Sequence, residues 1–426
     1  MNGEKRMIHL PGMAVTDHHF SVPLDHGAPE SGEEITVFAR EVVAPGPVRD
    51  DLPWLLYLQG GPGGKSPRPV RADGWLGHAL RTHRVLLLDQ RGTGRSTPVT
   101  AATAARLGEG LAPYLRHFRA DAIVADAELI RRRLSGDRPW DTLGQSYGGF
   151  VTLTYLSRAP EGLRTCYVTG GLPGLTATAD EVYARTYPRV KDKVERYYAR
   201  FPGDVATVRA VAEHLAANDV RLPDGDRLTV RRLRTLGMAL GTGDGAERVH
   251  WLFEGAWDGH ALADAFLREV MALTSFVDNP LYGVFQEAIY AQGDGATAWA
   301  AERVMRDLPE FAPAAEPLLF TGEMFYPWMF REIAGLRPFR EAAEALAKAD
   351  DWPPLYDLAR LAANEVPVAA IIYHDDMYVD AELSLRTARS VGNLRYWVTN
   401  EWEHDGVRAS GDRVLSRLMD LAGGRV

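Results

Sequence analysis

Gly144-Gln145-Ser146-Tyr147-Gly148 constrains this chain more than any other stretch. A serine with glycines two residues to either side is what a sharp strand-to-helix turn requires, because the turn strains the serine and leaves no room for neighbouring side chains. The surroundings suit such a turn. Trp140 to Leu143 reads as a short buried strand, and Phe150 to Ser157 reads as a helix that Pro160 stops. A chain with 41 glycines also produces such a pentapeptide by chance, so an ordinary glycine-rich turn is the alternative. The other parts of a nucleophile site have to be found independently.

Downstream, Val366 to Tyr373 is an apolar, β-branched run typical of a strand buried on both faces, and it ends in His374-Asp375-Asp376. Ala381 to Ser390 has helical spacing, Leu394 to Thr399 reads as the next strand, and Glu401-Trp-Glu-His404-Asp405-Gly406 follows it. Serine, acid and histidine in this order supply a complete set. The histidine takes the hydroxyl proton, and the carboxylate fixes its tautomer. Asp376 is the preferred acid, with Asp375 and Asp405 as rivals that otherwise read as solvated loop carboxylates. Upstream, the strand Trp54 to Leu58 runs into Gln59-Gly-Gly-Pro-Gly-Gly64, whose backbone N–H groups can approach a substrate oxygen. The N–H groups of Gly61 and Tyr147 are the expected oxyanion donors.

The same loop supports a rival. Gln59 to Ser66 is one residue short of the phosphate-binding G-x-x-x-x-G-K-S pattern, and Leu86-Leu-Leu-Asp89 resembles an acidic, magnesium-holding strand. Gln59 replaces the first glycine, however, and Pro67 and Pro69 break the helix that would receive the phosphates. No metal-ligand spacing occurs, and neither metal nor cofactor is expected.

The 426 residues are long for one domain and suit a core with a large insertion. Strands alternate with helices up to about residue 172, and the pattern resumes near 364. Residues 173–360 read as mostly helical, with helices over Asp180 to Phe201, Asp204 to Ala217, Leu228 to Leu240, Ala261 to Leu273, Leu281 to Gln292, Thr297 to Arg306 and Pro338 to Lys348. Gly241 to Gly245 reads as a linker. The expected arrangement is a catalytic core of residues 1–172 and 361–426 carrying a cap of residues 173–360. In that cap, Glu287 shares a helix face with Gly283 and Tyr290, and Glu323 stands among five aromatic residues between Phe320 and Phe330. Charges in apolar settings are normally paired, and an ammonium-bearing ligand would supply the pair.

A formal charge of −9 argues against nucleic-acid and anionic-membrane partners. The single cysteine, Cys166, lies in an apparent buried strand, Met1-Asn-Gly-Glu-Lys-Arg6 precedes no apolar leader-like run, and no segment is apolar enough to span a bilayer. A cytoplasmic setting is therefore expected. Arg131-Arg132-Arg133 reads as one exposed helix end without function.

Gln59-Gly-Gly-Pro-Gly63, Leu88-Asp-Gln-Arg-Gly-Thr-Gly-Arg-Ser96, His117-Phe-Arg-Ala-Asp121, Gly144 to Gly149, the Glu287 and Glu323 segments, Asp375 to Val379 and Glu403-His-Asp-Gly406 together carry a resemblance. The chain resembles the prolyl aminopeptidases (proline iminopeptidases) of larger bacterial type, within the α/β-hydrolase superfamily. Smaller members begin the oxyanion loop with histidine where this chain has Gln59. The resemblance implies a mostly parallel central sheet flanked by helices, with a large helical cap inserted between nucleophile and acid. It implies release of N-terminal proline from peptides through an acyl-enzyme, with Ser146, Asp376 and His404 as the triad and no metal. It further implies that Glu287 and Glu323 bind the substrate's free amine. Aromatic walls for the pyrrolidine ring are then expected from Tyr147, Phe150, Tyr290, Phe325 and Tyr326. A carboxylesterase on the same fold is the rival enzyme, and a catalytically silent binding protein the rival outside enzymes.

Overall fold

The chain is described here from a computed structural model covering residues 7–46 and 51–426. Residues 1–6, on which the reading of the N-terminus rests, lie outside the described residues.

Nine strands form one sheet: β1 (Met7–Leu10), β2 (Met13–Pro23), β3 (Glu34–Val43), β4 (Trp54–Leu58), β5 (Arg84–Leu88), β6 (Trp140–Gln145), β7 (Leu163–Thr169), β8 (Val368–Tyr373) and β9 (Leu394–Thr399). Their spatial order is β1-β2-β3-β5-β4-β6-β7-β8-β9. From β5 to β9 every pairing is parallel, whereas β1 to β3 form an antiparallel meander joined antiparallel to β5. Residues 7–43 thus depart from the expected strand–helix alternation. Their alternating pattern suits strands joined by tight turns, with no stretch long enough for a crossover helix.

Strand alternation divides the interior in two. Leu56, Leu58, Leu86, Leu88, Val168 and Ile372 face one core, shared with the helices Ala120–Ser135 and Tyr147–Arg158 and with inserted residues such as Tyr183, Tyr187 and Phe320. Leu55, Tyr57, Val85, Leu87, Leu143 and Ile371 face the other, closed by Val414, Leu415 and Leu418 of the C-terminal helix Arg413–Ala422. Because both faces are covered, the central strands are apolar almost throughout.

Between β7 and β8 the chain is largely helical. It includes the long helices Ala179–Arg200 and Pro202–Ala217 and the shorter Gly245–Glu254, Asp264–Thr274, Pro280–Phe285, Ala300–Arg306 and Arg340–Lys348. Three expected helices are broken. The run Leu228 to Leu240 is a five-residue helix, Val230–Arg234, followed by the 3₁₀ segment Thr235–Gly241. Ala261–Leu262 pairs with Trp257–Asp258 as a small hairpin before its helix begins. The helix expected to reach Gln292 ends at Phe285, so Glu287 and Tyr290 lie in the turns beyond it rather than on one helix face with Gly283. No helix among the described residues is long and apolar enough to cross a membrane.

The basic run is also not uniformly exposed. Arg131 is buried and forks onto Glu128, its Nε and Nη2 donating to the two carboxylate oxygens at 2.8 and 2.9 Å. A second buried cation ties the meander to the core. Arg91 forks onto Asp126 at 2.7 and 2.5 Å and donates to the carbonyls of Pro23, Leu24 and His117. Removing one partner of such a pair strands the other charge in a low dielectric. Asp126→Ala is therefore expected to destabilise the fold by about 3–5 kcal/mol, read as a lowered urea midpoint. An unchanged midpoint would show that the Arg91 cation is adequately held by carbonyls alone.

Candidate active site

Parallel strands place the exits of β4, β6, β8 and β9 at one edge of the sheet, where ligands bind in such folds. Ser146 follows β6 directly with φ 54° and ψ −123°, a region that L-residues avoid. Its N–H donates to the Thr169 carbonyl at 2.9 Å, and the helix Tyr147–Arg158 starts at once. The glycines are there for space. A Cβ on Gly148 would lie 2.0 Å from the Leu58 carbonyl oxygen, and one on Gly144 would lie 2.4 Å from that of Gly148.

The loop after β4 lies against this turn: a Cβ on Gly60 would sit 2.7 Å from the Ser146 Cβ. Gly61 follows with φ 64°, and both Gly60 and Gly61 line the cavity that holds Ser146. Tyr147 is the first helical residue after the serine, and first-turn N–H groups have no intrahelical acceptor. Two backbone donors thus flank the serine from separate elements.

The loops after β8 and β9 supply the remaining groups. Asp376 Oδ2 lies 2.6 Å from His404 Nδ1, while Asp376 Oδ1 accepts from the N–H groups of Tyr378 at 2.8 Å and Val379 at 3.1 Å. Asp375 turns outward to Arg196 at 3.1 Å and His374 at 2.9 Å. Burial raises the Asp375 carboxyl, but those two hydrogen bonds outweigh it and hold the group at about 2. Asp405 accepts from the Gly243 N–H at 2.9 Å and pairs with Arg408. Of the three aspartates, Asp376 alone is hydrogen-bonded to the imidazole.

Ser146, His404 and Glu323 line one cavity of about 410 Å³, together with Gln59, Leu236, Met238, Ala239, Arg248, Leu273, Tyr282 and Tyr378. The Tyr378 ring meets His404 edge-on at 4.8 Å. Glu323 receives the Tyr282 hydroxyl on Oε1 and the Gln286 amide on Oε2 at 3.0 Å. Burial raises its carboxyl, against the lowering pull of Tyr282 and the nearby imidazole. Burial also pulls His404 down, yet the Asp376 charge and hydrogen bond, with Glu323 behind them, bring it above its ordinary value.

The other expected wall and amine residues sit deeper. Glu287 accepts from the Ala301 N–H at 3.0 Å, and its Oε2 is buried without a partner among the described residues. Burial pushes its carboxyl up to about 7, against hydrogen bonds from Ala301, Ala300 and Thr297. Gly283 provides no space beside it, since a Cβ there would meet the Phe325 ring at 3.0 Å. Phe150 packs between Tyr147 and Tyr290, with ring centroids 6.0 and 6.1 Å away, and Tyr290 lines a neighbouring cavity with Gln292, Thr297 and Tyr356. Phe325 packs on Phe276 and Tyr282, and the Tyr326 hydroxyl bonds that of Tyr187 at 2.9 Å. Neither is among the residues lining the Ser146 cavity. Sequence reasoning missed Tyr282, Gln286 and Tyr378. The i,i+4 spacing of Tyr282 and Gln286 was the available signal, two hydrogen-bonding side chains beside an apolar run.

The phosphate-loop alternative is excluded by the same geometry. The chain from Lys65 to Asp73 forms no helix, Ser66 Oγ donates to the Leu88 carbonyl at 2.5 Å, and Asp89 is occupied by Arg68 and by the N–H groups of Ser66 and Arg95.

An elbow serine beside a histidine–aspartate pair on a parallel sheet defines a hydrolase-type site, and comparisons with known proteins agree. A model of the alpha/beta hydrolase fold matches residues 53–407. A proline iminopeptidase of Aeromonas sobria is 49% identical over 97% of this chain and 97% of its own length. Proline iminopeptidase aneH of Aspergillus aculeatus is 35% identical over 98% of this chain and 95% of its own. The chain belongs to the alpha/beta hydrolase fold family and, within it, to the family of these proline iminopeptidases.

The raised His404 fixes the sign of a pH effect. A base must be neutral to take the serine proton, so labelling of Ser146 by a fluorophosphonate should fall on the acid side as His404 protonates. Glu323→Gln removes a negative neighbour that favours the imidazolium, so the acid limb should move to lower pH. A limb that stays in place or moves up would show that Glu323 does not act on His404. Asp376→Asn should slow labelling by roughly 10⁴-fold, whereas Asp375→Asn should leave it nearly unchanged.

Proposed function

We propose that this chain is a serine exopeptidase that releases N-terminal proline from peptides, with residues 173–360 acting as a cap over a core of residues 1–172 and 361–426. The observation that carries the reading is Glu323: a partly buried carboxylate opens into the same cavity as Ser146 and His404. An ester needs no anion there. A protonated proline nitrogen does, and desolvated carboxylates are held charged by a paired cation. The relatives named proline iminopeptidase support the same substrate.

In this reading the Ser146 hydroxyl attacks the prolyl carbonyl while His404 Nε2 takes its proton. Asp376 holds the other ring nitrogen protonated and stabilises the imidazolium. The carbonyl oxygen, now negative, moves between the N–H groups of Gly61 and Tyr147. His404 then gives the proton to the departing peptide amine, leaving prolyl-Ser146, and a water activated by the same histidine releases proline. Glu323 receives the ammonium directly. Glu287, with one oxygen unpartnered, supports the amine from behind the cavity wall, and Phe150 and Tyr290, neither of which lines the Ser146 cavity, act as packing. Phe325 and Tyr326 act as packing behind Glu323. The buried free thiol of Cys166 supports a reducing, cytoplasmic setting.

Two substitutions test this. Ser146→Ala should lower kcat on proline p-nitroanilide by roughly 10⁴-fold or more, because triad members act as a unit. Glu323→Gln should cost about 2–4 kcal/mol in kcat/KM on that substrate, with Glu287→Gln milder, while p-nitrophenyl acetate is hydrolysed nearly as by the parent at a pH above the acid limb. Parental kcat/KM on the anilide in both Gln variants would move the amine site elsewhere, and a parent that prefers neutral esters would favour a carboxylesterase.

A further inference from the structure

The cavity lining holds a second charged group that the chemistry above does not use. Among the described residues lining it, Arg248 is the single Arg or Lys. Its guanidinium is half exposed, and the nearest carboxylate among the described residues is Asp244, at 3.9 Å on the preceding helical turn. That is the outer limit of an ion pair. Arg91, by contrast, is held by Asp126 at 2.5 Å.

Where Arg248 stands follows from the backbone. Gly241 ends the segment before its helix and accepts from the His404 N–H at 3.2 Å, and the Gly243 N–H donates to Asp405 at 2.9 Å. Gly241 to Gly245 is therefore no loose linker, since it is stitched to both residues of the histidine loop. The helix Gly245–Glu254 follows immediately and carries Arg248 in its first turn. On the proposed reaction, His404 protonates the leaving amine, so the departing peptide passes on the histidine's side of the cavity. Glu323, which lines the same cavity, holds the amine. Leu236, Met238, Ala239 and Leu273 add apolar surface to its lining.

We propose that Arg248 reads the C-terminal carboxylate of the substrate, so that the favoured substrates are short zwitterionic peptides, di- and tripeptides beginning with proline. This rests on the exopeptidase reading and adds to it a specificity for length. Acid and base line one cavity, Glu323 for the ammonium and Arg248 for the carboxylate, with apolar lining residues for the second residue's side chain. Longer peptides carry their carboxylate past Arg248 and lose the contact. Because the guanidinium is half exposed, the preference is modest and screened by salt.

The test compares each peptide with its own C-terminal amide: Pro-Ala, Pro-Ala-Ala and Pro-Ala-Ala-Ala-Ala-Ala, in parent, Arg248→Lys, Arg248→Gln and Arg248→Glu. The ratio of kcat/KM for acid over amide is read within each protein, so general changes in activity cancel. In the parent the ratio should be about three- to tenfold for the dipeptide or tripeptide and near unity for the hexapeptide, shrinking in 1 M NaCl. Arg248→Lys should retain much of it, Arg248→Gln should bring it to near unity, and Arg248→Glu should invert it. A parental ratio near unity at every length, or a ratio that survives in Arg248→Gln, overturns the assignment while leaving the exopeptidase reading intact. If the parent cleaves none of the prolyl compounds, including proline p-nitroanilide, both readings fall together.

Discussion

Ser146 sits in a backbone conformation that costs of the order of 1–3 kcal/mol, and the surrounding structure must hold it there. The strand β6 leads in, the helix Tyr147–Arg158 leads out, and the Thr169 carbonyl takes the serine N–H across to β7. Close backbone contacts complete the restraint, with Gly148 against Leu58 and Gly60 against the elbow itself. One consequence is chemical. The contacts that force the turn also bring Gly61 and Tyr147 beside the serine, so the proposed nucleophile and oxyanion donors share one packed unit rather than being placed separately.

The same packing makes the cavity electrostatically sensitive. His404 and Asp376 are both buried, and Glu323 is a further carboxylate opening into the cavity they serve. Burial disfavours every charge present, and each group keeps its character through specific partners: two backbone N–H groups and the imidazole for Asp376, Tyr282 and Gln286 for Glu323. Among the described residues, Glu323 has hydrogen-bond donors but no Lys or Arg ion pair. That imbalance distinguishes this pocket from one shaped for a neutral acyl group, and it is the physical basis for assigning an ammonium to it.

Legibility in the sequence followed the range of the forces involved. The elbow, the glycine-rich loop after β4 and the strand ends could be read because each depends on residues adjacent in the chain, and the parallel strands then bring them to one edge. The alpha/beta hydrolase fold was readable for the same reason, apart from the antiparallel start over β1 to β3. The inserted segment was harder. After the two long helices Ala179–Arg200 and Pro202–Ala217 its helices are short, and 3₁₀ turns and a hairpin reset the periodicity. Glu287 and Glu323 stood out as charges in apolar runs, yet their neighbours come from 14 residues away at Ala301 and 41 residues away at Tyr282. Phe325 and Tyr326 illustrate the cost: proximity to Glu323 in sequence suggested a wall, but alternate directions of their side chains take them into the packing with Phe276 and Tyr187.

Residues that looked like spares beside the site have a joint purpose in the fold. Asp375 and Glu403 each flank a member of the hydrogen-bonded pair, Asp376 and His404, and both are held by the helix Ala179–Arg200 of the inserted segment. Lys193 Nζ lies 2.5 Å from both Glu403 oxygens, and Arg196, one turn later on the same face, lies 3.1 Å from Asp375. Gly241 and Gly243 grip the histidine loop from a second inserted element. The loops carrying acid and histidine are short, polar and outside the sheet, so their strands alone do not fix them. Contacts from the insertion do. The segment that lines the cavity therefore also holds the two loops that carry the hydrogen-bonded Asp376 and His404.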